Sequence, residues 1–184
     1  MPKLVDADQQ RRSIAGAAIA VIDEVGLEGA RLRDVARAAN VTTGAVTHYF
    51  DDKDAVLAAA LEEVVRRILA KQERAKGPVS KSAFIRQACS FLPIDDESRR
   101  EWRVWFAFWG RAIADERLRV LHRHYYEEIV QRLLEILPTR SRRLADAIIA
   151  AIDGVGMRAT LEPEQWTPRR QRETLTTLLE PLLP

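Results

Sequence analysis

Residues 41–50, Val-Thr-Thr-Gly-Ala-Val-Thr-His-Tyr-Phe, concentrate small and hydroxyl-bearing side chains in the length of one turn and one short helix. With Thr43 set at zero and about 100° added per residue, Ala45, Val46, Tyr49 and Phe50 fall in an arc of about 200–340° and form the face expected to be buried. The remaining arc holds Thr43, Gly44, Thr47 and His48, with Thr42 immediately before it. Short hydrogen-bonding side chains with a glycine among them suit close approach to another polar surface. When such a helix follows another across a tight turn, it is the one that a helix-turn-helix unit lays in the major groove of DNA. His48 reads either as a contact on that face or as an ordinary surface histidine, and the whole short helix has the alternative reading of a packed connector.

A second constellation is aromatic. Trp102, Trp105, Phe106 and Trp109 recur at i, i+3, i+4 and i+7, so three of the four tryptophans share one helix face, with Phe108 beside them. The stripe reads equally as a packing face or as the wall of a ligand cavity. For a quaternary ammonium ligand, indole faces would contribute about 0.5–2 kcal/mol each through cation–π contact, with Tyr125, Tyr126 or Trp166 as further walls. Asp153, interrupting an apolar stripe within Ile152-Asp153-Gly154-Val155-Gly156, is the most suggestive counter-charge, against the plainer reading of a helix-end or interface acid. His122 and His124 are two apart, point to different sides of a helix and make a poor metal pair. There is no Ser-His-Asp pattern with structural context, no phosphate-binding glycine loop, no HExxH and no cysteine pair. The expectation is therefore no enzyme, no metal and no cofactor.

Bulk properties narrow the class. The 184 residues suit one ordinary domain or a small module fused to a larger one. Hydrophobic residues at 47% and charged residues at 30% exclude wholesale disorder. The single cysteine, Cys89, cannot form an internal disulfide, which suits a reducing compartment. No apolar run approaches the ~18 residues of a membrane span, and no signal-peptide pattern opens the chain, so the expectation is a cytoplasmic protein with no membrane partner. The 29 basic and 27 acidic residues leave a net charge of only +2. Residues 1–53 hold seven Lys or Arg against eight Asp or Glu, a net −1, so any affinity for DNA must come from local placement and dimerisation rather than from bulk charge.

The elements that must position these groups are helices throughout. Ile14, Ala17, Ala18, Val21, Ile22 and Val25 form a first stripe that Gly26 stops, and Leu32, Val35, Ala36 and Ala39 a second. Asn40-Val41 makes the turn before a third helix from about Thr43 to Phe50, capped by Thr42. A fourth opens at Asp52 and closes at Gly77-Pro78. Beyond it, helices are expected from Ser80 to about Leu92 and from about Glu97 to Ala114. Three more fit 116–137, ended by Pro138, then 140–161 and 168–183, the last capped by Thr167 with Pro168 at its first position. No stretch reads as a strand. The fold class expected is all-α: an N-terminal three-helix helix-turn-helix unit (residues 1–53), a linking fourth helix (54–77) and a C-terminal helical bundle for ligand binding and dimerisation (78–184).

The stretch from Leu32 to Leu57, LRDVARAANVTTGAVTHYFDDKDAVL, closely resembles the signature of the tetracycline-repressor (TetR) family of bacterial transcription regulators, at the family's spacing and without a gap. Arg31 stands where many members have a capping threonine, which leaves it to contact phosphate. Thr47 stands where tyrosine is commonest, and a small hydroxyl there resembles the branch typified by the choline-responsive repressor of betaine synthesis. The resemblance implies a homodimer on double-stranded, pseudo-palindromic operator DNA. It supplies a docking pose in which Gly44 lets the backbone approach, and Thr42, Thr43 and Thr47 donate to phosphates or base edges. Tyr49 packs its ring inward with its hydroxyl toward a phosphate, Lys53 adds a phosphate contact, and His48 sits on the DNA face. It also implies a small effector, a quaternary ammonium or a hydrophobic compound, inside the C-terminal bundle against Trp102, Trp105, Phe106, Trp109 and Tyr125, with release of a repressor as the outcome. Apolar stripes at Ala147, Ile148, Ala151 and Ile152 and at Leu175, Leu178, Leu179 and Leu182 are expected to form the dimer seam. The alternative from another class is an all-α small-molecule-binding or adaptor protein with a vestigial helix-turn-helix.

Overall fold

Gly26 adopts φ 68°, ψ 170°, a conformation L side chains rarely take, and it breaks the first helix where the sequence predicts a stop. Helical geometry resumes beyond this kink, so α1 runs Ala7–Gly29 rather than ending there. The computed structural model describes residues 7–72, 80–137 and 139–183. Gly77-Pro78 and Pro138, expected to close two helices, lie outside the described residues. After α1 come α2 (Leu32–Ala38), α3 (Thr43–Tyr49), α4 (Lys53–Gln72), α5 (Lys81–Cys89), α6 (Asp96–Ala114), α7 (Glu116–Ile136), α8 (Arg142–Leu161) and α9 (Pro168–Leu179). Among the described residues there is no strand, and no helix is long and apolar enough to cross a membrane.

Local chemistry sets the ends. The Thr42, Asp52, Ser80, Ser141 and Thr167 side chains each accept from a backbone N–H three residues on, supplying the first-turn partners a helix otherwise lacks. Asp95 and Ser98 cap α6 reciprocally: the Ser98 amide donates to Asp95 Oδ1 (2.8 Å), and the Asp95 amide donates to Ser98 Oγ (3.1 Å). Expected ends move by a few residues where caps intervene. α5 stops at Cys89, three residues short of Leu92, because Ser90 caps it and Phe91 and Leu92 continue in tight turns. α9 ends at Leu179 rather than residue 183.

The chain divides into two compact units, one formed by residues 1–66 and 103–122 and the other by 67–102 and 123–184. In the first, Ile14, Ala18, Ile22, Val35, Val46, Phe50, Leu57 and Leu61 are buried, the period-3.6 positions of α1 to α4. In the second, Phe84, Leu92, Val130, Leu133, Ile148, Val155, Leu175 and Leu179 belong to one core. Three of the eight residues expected in the dimer seam belong to this core. Ile148, Leu175 and Leu179 are fully buried inside a single chain, because α8 and α9 pack on one another and α5 on α9. Large apolar side chains left open are Met157 and Leu161 of α8, Leu178 of α9 and Leu182 just beyond it.

Candidate nucleic-acid interface and effector region

The turn before α3 is set by Asn40 at φ 55°. Its amide donates to the Arg37 carbonyl (3.1 Å) and that of Val41 to Ala36 (2.9 Å), the paired closure that ends a helix through one left-handed residue. α3 then starts at Thr43 with Val46 and Phe50 buried, Ala45 and Tyr49 half-buried, and Thr42, Thr43, Gly44, Thr47 and His48 exposed. That is the two-faced helix its periodicity implies. Arg11 of α1 secures its end: the guanidinium stands 5.5 Å from the Phe50 ring centroid and pairs with Glu62 (2.9 Å).

Hydrogen bonding sorts the exposed groups. Thr42 Oγ1 accepts from the Ala45 amide (3.1 Å), which leaves its hydroxyl proton to donate outward. Thr47 Oγ1 donates to the Gly44 carbonyl (3.2 Å), so its lone pairs and methyl face out. The imidazole of His48 and the ring of Tyr49 meet edge-on at 5.1 Å. Arg31 begins α2 with no side-chain capping bond and is exposed. Lys53 Nζ donates to the Glu28 carbonyl at the end of α1 (3.0 Å), which spends one of its three N–H groups.

Ion pairs that sequence spacing could not reveal tie α6 to the helices around α3. Arg111 grips Asp54 with both Nε (3.1 Å) and Nη2 (2.6 Å), and Arg103 pairs with Asp23 of α1. The aromatic residues Trp105, Phe106 and Trp109 lie on this same stretch of α6. Trp109 stands 5.8 Å from Trp105 and meets Phe106 edge-on at 5.3 Å. Trp105 is buried, whereas Phe106 and Trp109 are half-buried.

In the second unit, the Trp102 indole N–H donates to the Phe91 carbonyl (2.8 Å) and its ring lies on Gly156 of α8. Tyr125 is buried, and Tyr126 OH donates to Asp153 Oδ2 (2.8 Å). Burial pushes the Asp153 carboxyl up to about 6, against the opposing effect of that hydrogen bond. Trp166, a candidate further wall, already has the guanidinium groups of Arg158 (5.1 Å) and Arg170 (4.8 Å) on its ring. His124 is exposed beside Glu128 (3.4 Å), and among the described residues no group of three His, Cys, Asp or Glu is placed to hold a metal.

Residues 14–60 match the family described as bacterial regulatory proteins, tetR family, and residues 85–184 match the BetI-type transcriptional repressor C-terminal family. The HTH-type transcriptional regulator BetI of Burkholderia thailandensis is 34% identical over 169 residues, spanning 88% of this chain and 87% of its own. A transcriptional regulator from Rhodococcus sp. Rha1 superposes with a TM-score of 0.82 at 29% identity, over 94% of this chain and 95% of that one. A regulator from Saccharomonospora viridis, solved in complex with choline, shares the fold with a TM-score of 0.76 at 20% identity, over 94% and 96% of the two chains.

Proposed function

The chain belongs to the TetR family of bacterial transcription regulators and carries a BetI-type C-terminal domain, and on that premise we propose that it is a cytoplasmic, homodimeric repressor that leaves a pseudo-palindromic operator when a small cation binds. The family is one of DNA-binding regulators rather than enzymes. Within it, residues 1–53 read DNA, 54–77 link and 78–184 hold the effector and the partner subunit. The observation that carries the operator reading is the exposed set Thr43, Gly44, Thr47 and His48 on a helix whose opposite side is buried. Arg31, Thr42, Tyr49 and Lys53 supply phosphate contacts around it.

Two substitutions separate these roles. Thr47→Ala removes a base-facing hydroxyl and is expected to relax specificity at one operator position. Lys53→Ala is expected to weaken all sequences alike and to flatten the slope of log K against log salt by about one unit. Fluorescence anisotropy across a salt series checks both. An unchanged slope for Lys53→Ala contradicts the phosphate role, because loss of the Glu28 bond alone would not alter it.

A two-fold operator needs a two-fold protein. We assign the partner surface to the open apolar residues Met157 and Leu161 of α8, Leu178 of α9 and Leu182 just beyond it. Sedimentation of Leu161→Glu and of Leu182→Glu at micromolar concentration is expected to shift the protein toward monomer. A 20.9 kDa species alone in the unsubstituted protein defeats the dimer.

The effector reading is supported by the aromatic side chains of Trp102 and Tyr125 in the second unit and by the choline held in the Saccharomonospora viridis structure, while Trp105, Phe106 and Trp109 belong to the first unit. A ligand that displaces α6 at Trp105 or Trp109 also moves Arg103 and Arg111, and through them Asp23 of α1 and Asp54 at the start of α4. That route makes α6 a lever on the reading helix. A coupling of ~1–3 kcal/mol between the two ligands changes operator affinity roughly 5–150-fold, provided the effector prefers the non-binding state by that much.

A further inference from the structure

Buried acids in this protein normally sit against arginine. Glu63 is 7% exposed and takes both Nε and Nη2 of Arg66 at 2.8 and 2.7 Å, and Glu101, 5% exposed, has Arg67 at 3.9 Å. Asp153, half-buried, departs from that pattern. Among the described residues its hydrogen-bond partner is the neutral phenol of Tyr126, and no Lys or Arg pairs with it, in a chain with 29 of them. A carboxylate withdrawn from water without a cation is costly, which is why burial holds its carboxyl near 6 instead of in the ordinary range. Its surroundings are aromatic. Asp153 and Gly156 are three apart on α8 and so share a face, and the Trp102 ring lies on Gly156. Helices α6, α7 and α8 thus bring one indole, one phenol and one uncompensated carboxylate into the same part of the second unit. Aromatic faces attract a quaternary ammonium but also accept neutral apolar groups, whereas a fixed negative charge distinguishes between them.

We propose that the Asp153 carboxylate, oriented by the Tyr126 hydroxyl beside the Trp102–Gly156 contact, is the counter-ion for the effector's ammonium group and the residue that makes the site select a cation over an uncharged molecule of the same shape. The inference rests on the reading that the effector is a cation. A trimethylammonium group donates no hydrogen bond, so its recognition is Coulombic and dispersive. The single charge then accounts for discrimination while the rings account for shape. Tyr126 acts as a positioning residue, fixing one carboxylate oxygen so that the other side of the group is presented in one orientation.

The test uses the full chain and two probes of matched shape, choline and its uncharged carbon isostere 3,3-dimethylbutan-1-ol. Titration calorimetry on the unsubstituted protein is expected to give at least about tenfold tighter binding of choline. In Asp153→Asn, and in Asp153→Ser as a second variant of different size, the preference is expected to vanish through loss of choline affinity, with binding of the isostere unchanged or improved. Tyr126→Phe is expected to reduce the preference partially. A choline preference that persists in the folded Asp153 variants overturns the assignment of Asp153 and leaves the cation reading standing. No choline preference in the unsubstituted protein overturns the cation reading and the assignment with it.

Discussion

Replacing Gly156 by alanine is expected to destabilise the protein by about 2–4 kcal/mol. A Cβ at this position would fall inside the van der Waals envelope of Cη2, Cζ2 and Cζ3 of Trp102, so the indole must move. Overpacking of this kind typically costs about 1–3 kcal/mol. Displacing the ring also breaks the bond from Trp102 Nε1 to the Phe91 carbonyl, worth about 0.5–1.5 kcal/mol net. Gly110 of α6 is the internal control. Nothing lies within 4 Å of a Cβ built there, so Gly110→Ala gains helix propensity, up to about 1 kcal/mol, and is expected to stabilise. Urea melts of the two variants should move in opposite directions. A Gly156→Ala protein as stable as its parent would show that the Trp102 ring is free to reposition.

Asp153→Asn is expected to stabilise the fold at pH 7 by about 1–3 kcal/mol while removing the preference for a cation. The folded carboxyl titrates near 6, above its ordinary value of 3.8, so the native state binds its proton more tightly than the unfolded chain does. Above about pH 6 both states are ionised and the partly desolvated charge subtracts its full amount from stability. As pH falls from about 6 towards 4 the folded state takes up the proton first, and stability rises. Below about 4 both states are neutral and nothing further is gained. Every tenfold gain in proton affinity on folding corresponds to about 1.4 kcal/mol, which sets the upper end of the range. The asparagine keeps an acceptor for the Tyr126 hydroxyl and carries no charge, so the difference in stability between variant and parent is expected to be large at pH 7.5 and to shrink towards zero by about pH 3.5. A pH-independent difference would contradict the burial of an ionised group. Stability surrendered to a functional charge is the usual pattern at binding sites.

How legible this was in the sequence differs from element to element. Helix α3 could be read almost completely, because everything that defines it is local. Thr42 caps three residues ahead, Asn40 tolerates the left-handed turn, and the 3.6-residue period assigns Val46 and Phe50 inward and Thr43, Gly44, Thr47 and His48 outward. The kink at Gly26 was legible as a break, but not as a break that helix resumes beyond. The pairs Arg111–Asp54, Arg103–Asp23 and Tyr126–Asp153 were not legible as pairs, since their partners lie 57, 80 and 27 residues apart and nothing in a residue's neighbours along the chain specifies such a contact. Three residues of the expected dimer stripes turn inward for a related reason. Period alone gives α8 and α9 an apolar face, but the burial of Ile148, Leu175 and Leu179 depends on which helices cover them. The reciprocal Asp95–Ser98 cap had a signal, two capping residues three positions apart before an apolar run, that would have moved the start of α6 to Asp96.

The most direct test of the central claim is fluorescence anisotropy of the purified protein on a labelled duplex from the region upstream of its own coding sequence, at one fixed salt concentration, with a scrambled duplex as competitor and with and without choline. A ligand-released repressor should bind the upstream duplex at least about 10³-fold tighter than the scrambled one, and should lose that affinity roughly 5–150-fold on adding saturating choline. Equal affinity for the two duplexes, or operator affinity that choline leaves unchanged, would contradict it.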